Sequence, residues 1–215
     1  MLDDSLIQAD ITLVISRCEE VSDSLLNSYE ALLSDGERQR NQRYRFATDR
    51  RKDLIARALL RTQLGERLQM APESLVFERG EHGKPALVLD NSLEFNLSHA
   101  GDWIVLAMAE SRIGVDIEHT ARDNDVIAIA DRYFFGSEIS LGLSKFGFSV
   151  ANKPDITIEM DGCLNDSPSD WQFFCVTPNA DYRLAVAFNS SKKPTVACYD
   201  CIPLESHTSV ENILL

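Results

Sequence analysis

The 215-residue chain is predicted to adopt an α+β fold, on three observations. Short apolar runs bounded by turn residues recur along it, as β-strands require. Two stretches of the first half carry helical spacing instead. The two patterns are mixed without the regular βαβ order of a doubly wound sheet.

The elements follow in order. "ITLVISR" (11–17) reads as a strand, and "SDSLLNSYEALL" (22–33) as a helix that Ser22 or Ser24 can cap. "SDGERQRNQRYRF" opens with a turn signal and becomes basic. In 51–69, Leu54, Ile55, Ala58, Leu59, Leu64 and Leu68 fall at helical spacing, with the arginines and Lys52 mostly off that stripe. "ESLVFERG" reads as a strand and "GEHGKPAL" as a loop. Three strands come next: "LEFNLS", the nearly continuous apolar "WIVLAMA" of a buried central strand, and the alternating "RIGVDIE". A helix is expected over 125–135, capped by Asn124 or Asp125. The remainder is mostly β: "FGFSVA", "DITIEMDG", "WQFFCVTP", "YRLAVAFN" and "TVACYDCIPL". A boundary near Glu110–Arg112 divides the chain into 1–110 and 111–215.

Composition narrows the function. With 44% apolar residues the chain can bury a sizeable core, and no apolar run is long enough to cross a bilayer. "MLDDSLIQAD" lacks the order of a signal peptide, so a cytoplasmic protein is expected. The five cysteines include Cys198-Tyr-Asp-Cys201, read here as two reduced thiols because no second C-x-x-C accompanies it. The net charge is −13, yet residues 37–67 carry ten Lys/Arg against four Asp/Glu. Such an acidic remainder argues against a nucleic-acid partner, and the local basic stripe suits a small polyanion or an acidic protein.

The chemistry concentrates in "RIGVDIE". Ile113, Val115 and Ile117 take one face of that strand; Gly114, Asp116 and Glu118 take the other. Alternate strand residues stand about 6.6 Å apart, so two carboxylates share one surface. A D-x-E in a strand also describes the wet face of an edge strand. A hard divalent cation between the carboxylates would relieve their repulsion, and Mg²⁺ suits one or two carboxylates plus substrate phosphates. Gly114 leaves room on that face. His99 and Ser98 end the preceding strand, Lys84 sits in a Gly-Lys-Pro loop, and Arg51 and Lys52 lie on the basic helix. Together these groups outline a polyphosphate site.

"GEHGKP", "FNLSHAGDWIVLAMA", "GVDIE" and "RYFFGSE", in that order and spacing and preceded by "RKDLIARALLR", resemble the two-lobed 4′-phosphopantetheinyl transferases. The resemblance runs from about Leu33 to Ser140 and more loosely to the C-terminus. It implies two similar, pseudo-symmetric lobes, each an antiparallel sheet with packed helices, and a site in the cleft between them. It further implies transfer of phosphopantetheine from coenzyme A to a serine of an acyl or peptidyl carrier protein. Position by position, Lys52 or its neighbour Arg51, Lys84, Ser98 and His99 would hold the coenzyme A phosphates. Asp116 and Glu118 would bind Mg²⁺ and take part in catalysis with Glu138 of "FFGSE". Two-lobed members resemble an internal dimer, which implies a monomer. The family's third motif, W-x-x-K-E-x-x-x-K, has no counterpart. No Lys-Glu dipeptide occurs in the chain, and Trp103 and Trp171 stand in strand patterns. The helix begun at Ser137 meets Gly142 after one turn, beside an apparent gap near 141–145. A true deletion and a segment outside the sequence as written both stay open.

Overall fold

A computed structural model describes residues 9–79, 85–88, 92–120, 146–152, 155–160 and 167–210. Strand β1 (Ile11–Arg17) is followed by three successive helices, α1 (Asp23–Leu32), α2 (Asp35–Gln42) and α3 (Ala47–Leu68), and then by strands β2 (Phe77–Arg79), β3 (Pro85–Leu87), β4 (Glu94–Ala100), β5 (Trp103–Ala109) and β6 (Ile113–His119). Then come β7 (Phe146–Asn152), β8 (Asp155–Met160), β9 (Trp171–Asn179), β10 (Tyr182–Asn189), β11 (Val196–Ile202) and β12 (Ser206–Ser209). The α+β class holds. The helix expected over 125–135 lies outside the described residues.

The largest sheet has the order β12-β11-β1-β5-β4, and a second has the order β6-β10-β9. β1 pairs in parallel with β11, so the first sheet is mixed rather than purely antiparallel. A boundary at 110–111 falls between β5 and β6, which lie in different sheets, while the C-terminal strands β11 and β12 return to the first. The larger sheet is covered on both faces. Val14, Ile104, Leu106 and Met108 pack into a helix-side core with Tyr29, Ile55 and Leu59. Ile11, Leu13, Ile15, Val105 and Ala107 pack on the other side against Val115, Ile117, Leu184 and Val186 of the smaller sheet. Burial on both faces is why "WIVLAMA" is apolar at every position.

Two helical details depart from expectation. α3 begins at Ala47, four residues before the apolar stripe suggests, and the stripe residues Leu54, Ile55, Ala58, Leu59 and Leu64 are buried. "DGERQRNQ" is a helix rather than a turn, because Ser34 and Glu37 form a capping box. Glu37 does more than cap. Its Oε2 also accepts from Arg61 Nε at 2.9 Å and from the terminal guanidinium nitrogen at 2.6 Å. Arg61 is only 1% exposed and also donates to the carbonyls of Pro72 (2.8 Å) and Leu75 (3.1 Å). The off-stripe arginine at the centre of α3 is therefore buried with its guanidinium hydrogen-bonded, 5.2 Å from the Phe77 ring centre.

Burial pushes the Glu37 carboxyl up, but hydrogen bonds and charge from Arg61 and Ser34 outweigh it and hold the group below the usual carboxylate range. A depressed carboxylate contributes stability above its unfolded pKa and loses that stability as pH falls through the folded value. Glu37→Gln keeps the cap but leaves Arg61 buried without its counter-charge. It is expected to cost about 3–5 kcal/mol in urea unfolding at neutral pH and to flatten the acid limb of the stability profile. A loss under about 0.5 kcal/mol, typical of a surface change, would contradict the role given to this pair.

Candidate functional site

β6 forms as the alternation requires. Ile113, Val115 and Ile117 enter the core between the sheets, and Gly114, Asp116 and Glu118 take the opposite face. β6 is an edge strand of its own sheet, yet Glu118 is only 7% exposed. It is not the wet face of a free edge, because β4 runs beside it.

The contact between β4 and β6 is made through side chains. Phe95 and Leu97 of β4 turn toward the helix-side core, which puts Asn96 and Ser98 on the face that β6 passes. Asn96 Oδ1 accepts from the Val115 amide at 2.9 Å. Ser98 Oγ accepts from the Ile117 amide at 3.2 Å and donates to Asp116 Oδ1 at 2.5 Å. Residues 96 and 98 thus meet 115 and 117 in step, so the two strands run in the same direction. The spacing N-x-S matches V-D-I because both strands repeat every second residue.

An aromatic brace closes the same junction at its far end. Tyr182 of β10 stacks on Trp103 of β5 with centroids 4.8 Å apart, and His119 meets Tyr182 edge-on at 4.8 Å. The β4–β5 turn requires glycine at its first position. Gly101 has φ +54°, and a Cβ there would stand 2.3 Å from Tyr182 Oη.

The sequence-derived candidates divide. Ser98 and Asp116 are in direct contact, with Glu118 two residues further on the Asp116 face. His99 is exposed and, by alternation, lies on the opposite face of β4 from Ser98. Lys52 reaches the turn after His99, with Nζ 3.4 Å from Asp102 Oδ1. Arg51 points elsewhere: its guanidinium is held by the Val21 carbonyl and the Asp23 carboxylate, with Cys18 O at 3.4 Å. Lys84 and Glu138 lie outside the described residues. Among the described residues, no group of three or more His, Cys, Asp or Glu converges on one point.

The basic stripe is largely neutralised. Seven of the ten Lys/Arg of 37–67 sit against a carboxylate, from Arg38 on Asp35 to Arg67 on Glu110. Arg43, Arg45 and Arg50 are exposed at the corner between α2 and α3, with no ion pair among the described residues. The C-x-x-C thiols point into different cores, Cys198 between the sheets and Cys201 on the helix side. Burial pushes both up to about 12, which suits inert thiols.

Sequence reasoning quoted Asn96 within its motif but gave it no task; its spacing of two from Ser98 was the available signal. Arg183 stands opposite Glu118 in the β6–β10 register, with its guanidinium donating to the carbonyls of Tyr182, Asn179 and Ala180.

Residues 21–111 match the family model described as 4′-phosphopantetheinyl transferase, N-terminal. Over those residues the chain is similar to the 4′-phosphopantetheinyl transferases. Psf-1, a 4′-phosphopantetheinyl transferase of Bacillus pumilus, is 37% identical over 97 residues, 45% of this chain and 41% of that protein. A phosphopantetheinyl transferase of Thraustochytrium sp. is 43% identical over 91 residues, 41% of this chain and 32% of its own length. The 4′-phosphopantetheinyl transferase Sfp of Bacillus subtilis is 29% identical over 178 residues, 80% of this chain and 76% of Sfp. A match of that length extends past residue 111. The first two matches span less than half of those relatives.

Arg51 and Lys52, adjacent on α3, should separate by experiment. Arg51→Ala strips partners from the carbonyls of Cys18 and Val21 and is expected to cost about 1–3 kcal/mol of stability. Lys52→Ala removes a half-exposed ion pair and is expected to stay within about 1 kcal/mol of the parent. Thermal unfolding of the two variants decides the order; equal losses would contradict it.

Proposed function

We propose that this protein moves the 4′-phosphopantetheine arm of coenzyme A onto a serine hydroxyl of an acyl or peptidyl carrier protein, releasing adenosine 3′,5′-bisphosphate. The observation that carries this reading is the contact between Ser98 and Asp116. It joins N-x-S-H and G-V-D-I-E, the two motifs that the sequence shares with the transferases, at one point in space.

Asp116 and Glu118 offer hard oxygen donors from one face of β6, with Gly114 beside them, and that donor set fits Mg²⁺. They would hold the ion, which when bound supplies positive charge against a diphosphate. Lys52, half-exposed at the β4–β5 turn, binds coenzyme A phosphate together with Lys84 and His99. Arg51, committed to backbone carbonyls, is left out of that set. In the transfer, the carrier serine oxygen forms a bond to the β-phosphorus. The anhydride bond to the α-phosphate breaks, and the serine proton passes to a carboxylate of the set Asp116, Glu118 and Glu138. The protein acts as a cytoplasmic monomer. No helix of the described residues is long and apolar enough to cross a membrane.

A second reading, a homologue that binds coenzyme A without efficient turnover, is favoured by one observation: the third motif's Lys-Glu pair is missing. Losing a general base alone slows such reactions about 10²–10⁴-fold.

Mass spectrometry of an apo carrier protein incubated with coenzyme A, Mg²⁺ and this protein tests both readings. The first expects the mass gain of one phosphopantetheine arm, abolished by Asp116→Ala. Calorimetric binding of coenzyme A with no gain on any of several carriers would leave only the second.

A further inference from the structure

We propose that a cavity at the end of the sheets remote from Asp116 binds a small zwitterion, a free α-amino acid with an apolar side chain. This goes beyond the transfer reaction proposed above and does not depend on it. The cavity has a volume of about 270 Å³. That is just under the usual range of small-molecule sites, about 300–1,000 Å³, so its occupant is small. It lies where β1 begins and β5 ends. Asp10, Thr12, Met108 and Glu110 line it, with Arg67 from the last turn of α3 and Phe188 of β10. Ser111, also in its wall, is about 17 Å from Asp116 along extended chain.

Thr12 is the residue that points to a ligand. It stands opposite Met108 in the β1–β5 register, on the helix-side face of β1 with Val14. Thr12 is only 8% exposed, yet its hydroxyl has no hydrogen-bond partner among the described residues. A buried hydroxyl without a partner costs free energy, and a polar group bound in the cavity would meet it. The surrounding charges select the kind of molecule. A lone anion would meet Asp10 and Glu110, and a lone cation would meet Arg67, whereas a zwitterion answers both signs. Arg67 holds Glu110 loosely, at 3.5 Å, and the Glu110 side chain is 79% exposed. A ligand carboxylate can take the guanidinium in a two-pronged contact and release Glu110 to an ammonium group. Asp10 stays ionised beside them, because hydrogen bonds from the Thr195 amide and hydroxyl, each 2.7 Å, hold it below the usual carboxylate range. Both bonds reach Oδ2, which leaves Oδ1 for the ammonium. Leu93, Met108 and Phe188, each more than nine-tenths buried, supply an apolar wall for the side chain.

The test is calorimetry on the full chain without coenzyme A, read beside the methyl NMR signal of Met108. The probes are L-leucine, 4-methylpentanoate, which lacks the ammonium, and 3-methylbutylamine, which lacks the carboxylate. Leucine is expected to shift the Met108 signal and to bind at least about tenfold more tightly than either analogue, the worth of one charged hydrogen bond. Arg67→Gln should weaken leucine about tenfold and leave the amine unaffected. Thr12→Val, of the same shape without the hydroxyl, should weaken leucine about fivefold, as loss of one neutral hydrogen bond does. Thr12→Ser, which keeps the hydroxyl, should bind like the parent. Should Thr12→Val fail to fold, Arg67→Gln, at the partly exposed end of α3, carries the test. No Met108 shift with leucine at millimolar concentration overturns the proposal. So does a leucine affinity that neither variant changes, because binding would then lie elsewhere. Amine binding as tight as that of leucine would make this a cation site and overturn the zwitterion. Coenzyme A and carrier are absent throughout, so a failure of the transfer reading leaves each of these outcomes as it stands.

Discussion

Two side chains of β4 accept hydrogen bonds from β6 amides, a part that the backbone carbonyls of a neighbouring strand ordinarily play. Asn96 takes the Val115 amide and Ser98 takes the Ile117 amide. Backbone N–H groups removed from water need a partner, and an unmet one costs about 1–3 kcal/mol. β6 meets that need on one edge through β10 and on the other through these side chains. The edges of two sheets are thereby fused without merging into one ladder. The position of Asp116, the burial of Glu118 and the run of the core between the sheets all depend on that fusion.

Packing makes the same junction rigid. The apolar face of β6 enters the core shared with β1, β5 and β10, so the strand cannot slide by one residue without exposing Val115 and Ile117. Tyr182 stacks on Trp103 and fills the space above Gly101. A carboxylate carried on a strand locked from both sides has little freedom, which is what a preorganised ion-binding or phosphate-binding site requires. The helix layer contributes more remotely. Glu37 and Arg61 fix α2 to α3, and α3 in turn presents Lys52 at the β4–β5 turn.

Much of this was legible in the sequence, for identifiable reasons. Alternation in "RIGVDIE" and the unbroken apolar run of "WIVLAMA" reflect one-sided and two-sided burial, so both strands fall where the pattern puts them. The pairing of N-x-S-H with G-V-D-I-E was legible as a motif, but its physical basis was not, because sequence spacing does not reveal that a side chain replaces a backbone acceptor. α2 was missed because its basic composition masked the Ser34–Glu37 capping box. Arg51 and Lys52 looked equivalent since adjacent helix residues point about 100° apart only once the helix orientation is known. The parallel return of β11 beside β1 was beyond reach, being a contact across almost the whole chain.

The side-chain fusion of β4 to β6 is tested most directly by amide hydrogen exchange at Val115 and Ile117, followed by NMR in the parent, Asn96→Ala and Ser98→Ala. The account predicts selective loss of protection: Ile117 speeds up at least about fivefold in Ser98→Ala, the equivalent of a hydrogen bond worth about 1 kcal/mol, and Val115 does so in Asn96→Ala. Unchanged exchange at both amides in both variants would mean that β6 is held by other contacts, and the central claim would fall.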